Sequence, residues 1–174
     1  ARPRRVAVAK RTDEKITLDG RLDEPAWQTA EVSVGFTQQD PIEGVPSTEL
    51  TEVRVLYDKD NLYFGIFCHD RTPDGIVVND ITRDFQHLDE DYLTIHLDPF
   101  HDRSNGYAFT TTAMGGEEDS QFSDEGRSNN INWDGVWTVE SRRTEEGWIV
   151  EAAIPFKTLR FSKAKEQVWG LNFI

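Results

Sequence analysis

Residues 91–98, DYLTIHLD, constrain the fold more than any other stretch. Leu93, Ile95 and Leu97 point one way along an extended chain, and Tyr92, Thr94 and His96 the other. A period of two, carried by β-branched and aromatic residues, reads as a strand with one buried face. Residues 107–112 give a second strand after a short loop. Residues 53–57 and 62–69 form the clearest hairpin, joined by Asp58-Lys59-Asp60-Asn61. The second arm is apolar on both faces, as expected for a central strand covered on both sides.

The remaining segments repeat this pattern. Residues 16–18 make a short strand closed by the Asp19-Gly20 turn. Residues 22–27 read as one helical turn, because Pro25 follows Asp23 and Glu24 at a helix start. Residues 32–38, 133–140, 148–154 and 169–174 read as further strands. Residues 155–159 read as a short helical turn, and 117–132 as a long polar loop. Short strands, frequent turn signals and almost no helical period predict an all-β fold, an antiparallel β-sandwich. Residues 1–15 read as a loose N-terminal arm and 16–174 as the sandwich. The printed chain stops inside its last strand, so either that strand closes the sheet or the natural chain continues.

Composition narrows the partners. The chain has 174 residues, enough for one domain with a core, and a formal net charge of −13. That charge disfavours nucleic acid and anionic membrane surfaces, and favours cations or neutral polar ligands. The single cysteine, Cys68, lies in an apolar run and reads as a core residue. The opening ARPRR fits a remnant of cleavage at a small-residue site, so export is expected.

Acidic residues cluster at the ends of the central strand: Asp89, Glu90 and Asp91 before it, Asp98 and Asp102 after it. Hard oxygen ligands suit calcium. Asp91 and Asp98 cannot share one ion, since seven extended residues separate them by roughly 23 Å. Asp98, Asp102 and Asn105 lie in one loop and form the candidate ligand set. Asp89 and Asp91 would need partners from elsewhere. Zinc lacks its usual cysteine and histidine spacing.

Several blocks, ITLDGRLDEPAW, TEVRVLYDKDNLYFGIFCHD, EDYLTIHLDPF, EEGWIVEAAIPFKTL and WGLNF, together resemble the family 9 carbohydrate-binding module, within the wider DOMON-like group. The blocks run in the family's order over nearly the whole chain. The resemblance implies a calcium-containing, non-catalytic β-sandwich that binds oligo- or polysaccharide. The nearest likeness is to modules that precede a larger C-terminal region on exported bacterial proteins, periplasmic, cell-surface or secreted. In sugar-binding members, a tryptophan shortly before the acidic block and another near the C-terminus sandwich the sugar. Here the positions before Asp89 hold Phe85, Gln86, His87 and Leu88.

A sugar site needs an aromatic face and a few polar groups. Asn132, Trp133, Asp134 and Trp137 supply both after the polar loop, with Phe85, Tyr107 and Gln121 as further candidates. Trp133 and Trp137, four apart, would share one face of a strand. Packing of both into the core is the competing reading. A haem site of the DOMON type would use Met114 with His69, His87, His96 or His101. A third reading is a structural domain that docks its own C-terminal region. No Ser/His/Asp arrangement or phosphate-binding glycine loop stands out, so catalysis is not expected.

Overall fold

The computed structural model describes residues 5–38, 41–79, 83 and 90–174. Among the described residues, ten strands form two five-stranded sheets. The first holds β1 (Lys10–Arg11), β2 (Thr51–Tyr57), β3 (Asn61–His69), β9 (Gly147–Pro155) and β8 (Thr138–Thr144), in that spatial order. The second holds β10 (Gly170–Phe173), β4 (Tyr92–Asp98), β5 (Gly106–Thr112), β6 (Glu117–Ser123) and β7 (Ser128–Asn130). All pairings are antiparallel except β1 with β2.

The alternation in β4 does what its spacing predicts. Leu93, Ile95 and Leu97 face Val53, Val55, Phe64, Ile66, Val150 and Ile154 of the first sheet across the main core. Phe173 closes one edge, edge-on to Phe36 at 5.8 Å and to Phe64 at 6.0 Å. The hairpin between β2 and β3 turns on Asp58, whose Oδ1 accepts the N–H groups of Asp60 and Asn61, both at 2.7 Å. Cys68 packs against the core as expected, and burial pushes its thiol up to about 12.

The first sheet is covered on its outer face as well. There the helical turn α1 (Pro25–Gln28) and the preceding loop bury Ile16, Ala26, Trp27 and Ala30 against Leu56 and Tyr63. Gly65 permits this close approach: a Cβ there would lie 2.7 Å from Leu22 and 2.9 Å from the Trp27 ring. Glu151, fully buried on β9, receives the loop. Its Oε2 accepts the N–H groups of Asp19, Gly20 and Arg21 at 2.9, 2.8 and 3.1 Å, and its Oε1 accepts the Trp27 indole N–H at 3.0 Å. Three successive backbone N–H groups converging on one oxygen make a nest. Gly20, at φ 73°, supplies the left-handed turn that forms it.

Five expectations change. Residues 16–18 are not a strand; Ile16 packs with α1 against the first sheet instead. The long polar loop is a hairpin, β6 and β7, because the buried positions on β6 are Asp119 and Ser120 and carry no apolar signal. Its turn uses Asp124, Glu125 and Gly126, all at positive φ. The strand expected over 133–140 begins only at Thr138. Residues 32–38 make isolated bridges, Ser33 to Val53 and Thr37 to Pro46, rather than a strand. The N-terminal arm is not loose throughout: Lys10–Arg11 pair with Leu56 and Tyr57, and Thr12 is buried, its N–H donating to the Tyr57 carbonyl at 2.9 Å.

Candidate functional site

The outer face of the second sheet is concave. Strand register sets the floor residues side by side: Asn172 pairs with His96, His96 with Ala108, and Ala108 with Ser120. In the next row Gly170 pairs with Asp98, Gly106 with Phe122, and Phe122 with Asn129. All of these but Gly106 line an open cleft of about 480 Å³, together with Arg103, Glu125 and Gly126. Toward the start of β4 the face is closed: Thr94 and Thr110 are buried there, their hydroxyls 2.9 Å apart.

One aromatic ring organises the cleft. Phe122 lies across Gly106, where a Cβ would come within 2.3 Å of the ring and 2.2 Å of the Leu97 carbonyl oxygen. His96 meets Phe122 edge-on, with ring centroids 5.7 Å apart. Desolvation lowers the His96 pKa from its ordinary value, so the ring is held neutral near pH 7. A neutral imidazole both donates and accepts hydrogen bonds. With the Asn129 and Asn172 amides and the Arg103 guanidinium, the cleft offers donors, acceptors and one apolar ring around an open trough. That combination suits a polyhydroxylated ring with C–H faces.

The acidic corner beside the cleft is compact. Asp98 Oδ1 accepts the Asp102 N–H at 3.2 Å, and its Oδ2 the Arg103 N–H at 2.7 Å. Asp102 Oδ1 accepts the N–H groups of Ser104 and Asn105 at 2.7 and 2.9 Å, and its Oδ2 the Asn105 amide at 3.0 Å. These bonds hold the Asp102 carboxyl below its ordinary pKa, the Asn105 amide first among them. Asp98, Asp102 and Asn105 are thus brought together as expected. They supply three side-chain ligands against the six to eight oxygens calcium takes, so carbonyls and water would have to complete a shell. No group of three or more His, Cys, Asp or Glu converges among the described residues. Asp91 stands at the other end of β4, where its Oδ2 accepts the Val77 N–H at 2.7 Å. Asp89 lies outside the described residues.

The expected aromatic site does not assemble as a surface. Trp137 is 7% exposed and Tyr107 5%, and both belong to the main core. Two tryptophans four apart share a face on a regular strand, and this segment is irregular until Thr138. Trp133 is half-buried, wedged 4.9 Å from the Tyr107 ring and 5.9 Å from Phe109. The Tyr107 hydroxyl accepts the Arg160 N–H at 3.1 Å. Asn132 and Asp134 are exposed, and Asp134 pairs with Arg83. Gln121 is half-buried on β6, opposite Tyr107. Phe85 lies outside the described residues.

The haem ligands are not gathered either. Met114 is exposed in the turn after β5, His101 follows the opposite end of β4, His96 sits mid-strand and His69 belongs to the first sheet. His69 instead meets Glu52 at 3.3 Å and stacks on Phe67 at 3.9 Å. His87 lies outside the described residues.

The fold is an antiparallel β-sandwich with an open cleft on the outer face of its second sheet. The profile of the carbohydrate family 9 binding domain-like family matches residues 18–174, so the chain belongs to that family. It is a non-catalytic module by that membership. Among solved structures, a family 9 carbohydrate-binding module from Caldicellulosiruptor kristjanssonii in complex with glucose superposes with a TM-score of 0.65 at 16% identity, covering 98% of this chain and 76% of that one. The complex of such a module from the same organism with cellotriose gives 0.62 at 15% identity, covering 97% and 75%. A structure from Bacteroides uniformis gives 0.71 at 11% identity, covering 95% and 80%. No curated protein sequence matches the chain significantly.

Proposed function

We propose that this chain binds a neutral saccharide in the cleft on the outer face of the second sheet. The observation that carries the reading is the arrangement of Phe122, His96, Asn129 and Asn172 around one open trough in a family 9 sandwich. Phe122 offers its ring to the C–H side of a sugar, and the amides and imidazole meet hydroxyls. The relatives solved with glucose and cellotriose make those two ligands the natural probes.

Calorimetric titration with glucose and cellotriose tests the reading. Phe122→Ala is expected to weaken binding at least about tenfold, by removing the apolar ring on which the sugar rests. Asn172→Ala should weaken it less, and the melting temperatures of both variants guard against misfolding. Intrinsic fluorescence should stay flat, because no tryptophan lines the cleft. A wild-type protein that gives no heat with either sugar at ~10 mM sinks the reading.

Calcium is a second part of the proposal. Its support is the corner formed by Asp98, Asp102 and Asn105, where both Asp98 oxygens and Asp102 Oδ2 each accept one N–H and keep a lone pair, while Asp102 Oδ1 accepts two. The corner is already hydrogen-bonded, so an ion would reinforce it rather than create it. Chelator should therefore lower the unfolding midpoint modestly, and calcium restore it, because a ligand of the native state raises stability by mass action. An unchanged midpoint removes calcium. Export is the third part, resting on the resemblance of the sequence blocks to modules of exported bacterial proteins. Fractionation of the natural host tests it, and a cytoplasmic pool alone would refute it.

A further inference from the structure

Between β9 and β10 the chain carries charge opposite to the rest of the molecule. Residues 157–165, KTLRFSKAK, contain Lys157, Arg160, Lys163 and Lys165 and no acidic residue, in a chain of net charge −13. All four cations are exposed, and none forms an ion pair with a described residue. Elsewhere Arg54 and Arg71 each pair with a carboxylate, and Arg83 and Arg127 with two.

The same segment presents aromatic rings. Phe156, Phe161 and Trp169 form a cluster with centroids 5.8, 6.3 and 5.4 Å apart. Phe156 and Trp169 root it in the core, while Phe161 is 37% exposed. The loop is fixed in shape. Leu159 is buried beneath it, and Gln167 ties its two arms together. The Gln167 amide donates to the carbonyls of Ser162 and Ala164 at 3.0 and 2.5 Å, and its Oε1 accepts the Trp169 indole N–H at 3.0 Å. Those bonds consume none of the four cations. An ordered loop loses little entropy when a ligand settles on it.

We propose that this loop is a second binding site, for an acidic polysaccharide of the uronate type. A pyranose ring lays its C–H face on Phe161 and Trp169. Carboxylates along the same strand meet Arg160, Lys163 and Lys165. The acidic remainder of the chain disfavours the denser polyanions. Duplex DNA carries one charge per about 1.7 Å and an anionic bilayer presents a continuous charged plane, and both would face net repulsion beyond the loop.

Affinity electrophoresis in gels containing polygalacturonate tests this directly. The wild-type chain should be retarded at low salt and released as salt rises. The triple variant Arg160→Gln/Lys163→Gln/Lys165→Gln, at exposed positions, should lose at least about tenfold in apparent affinity. Phe161→Ser should also lose affinity, at an unchanged melting temperature. Phe122→Ala should be retarded like the wild type, which separates this site from the cleft. A wild-type chain that migrates freely, or a triple variant retarded as strongly as the wild type, overturns the proposal. Equal binding to neutral xylan, duplex DNA or phosphatidylserine vesicles overturns the ligand class.

Discussion

Replacing Glu151 by alanine should cost about 3–5 kcal/mol of stability, the range for breaking a buried charged network by removing one partner. The carboxylate is wholly buried and accepts four N–H groups, three from residues 19–21 and one from the Trp27 indole. Burial raises its pKa against the pull of those donors, so the group sits in a dry pocket where an unmet donor is costly. Alanine leaves the buried Gly20 N–H and Trp27 indole N–H unmet and releases the part-buried N–H groups of Asp19 and Arg21. For a domain of this size the unfolding midpoint should fall by on the order of 10 °C. Glu151→Gln should fall between, since the amide keeps one acceptor oxygen but turns an N–H₂ toward other donors. Gly65→Ala should displace the same loop sterically, because its Cβ would strike Leu22 and the Trp27 ring. Denaturant unfolding followed by fluorescence reads both variants. A loss below about 1 kcal/mol for Glu151→Ala would show that the loop is held by apolar contact alone.

The way Glu151 works also shows what a sequence discloses and what it hides. Period-two alternation reveals β4 because its core face is Leu93, Ile95 and Leu97. The β2–β3 hairpin is legible for the same reason, and Pro25 marks α1. The same method misses β6, whose inward residues include Asp119, and misplaces the start of β8. Periodicity reports apolar faces, whereas β6 is buried through polar side chains and residues 133–137 are irregular despite their tryptophans. The cleft is hidden for a different reason. Its floor takes one or two residues from each of five strands, so His96, Phe122, Asn129 and Asn172 become neighbours only through register. Tryptophans attract attention as binding platforms, yet Trp137 is spent on the core. A usable signal did exist: Phe122 alternates with Asp119 and Gln121 on opposite faces of one strand, which marks it as an aromatic on the outer side.

Replacing Asp119 should give the second large effect, and it should appear in the tryptophans. Asp119 is 2% exposed and faces into the sandwich from β6. Its Oδ1 accepts the Gly135 N–H at 2.7 Å, while its Oδ2 takes the Arg83 guanidinium at 2.9 Å and the Trp137 indole at 3.3 Å. One carboxylate therefore fixes the irregular segment 133–137, which no ladder hydrogen bonds hold until β8 begins at Thr138. Asp119→Ala removes the acceptor for a buried backbone N–H, a buried indole and a cation at once, and should cost about 3 kcal/mol or more. Asp119→Asn keeps the Gly135 bond if its oxygen takes the Oδ1 position, and should cost less. With the segment freed, Trp133 and Trp137 should gain solvent, shifting emission to the red while far-ultraviolet circular dichroism keeps its β signature. The cleft lies on the opposite face of β6, so the variant should still bind saccharide wherever it remains folded. Unshifted emission with unchanged stability would mean that Phe109, 5.2 Å from the Trp137 ring, positions this segment by packing alone.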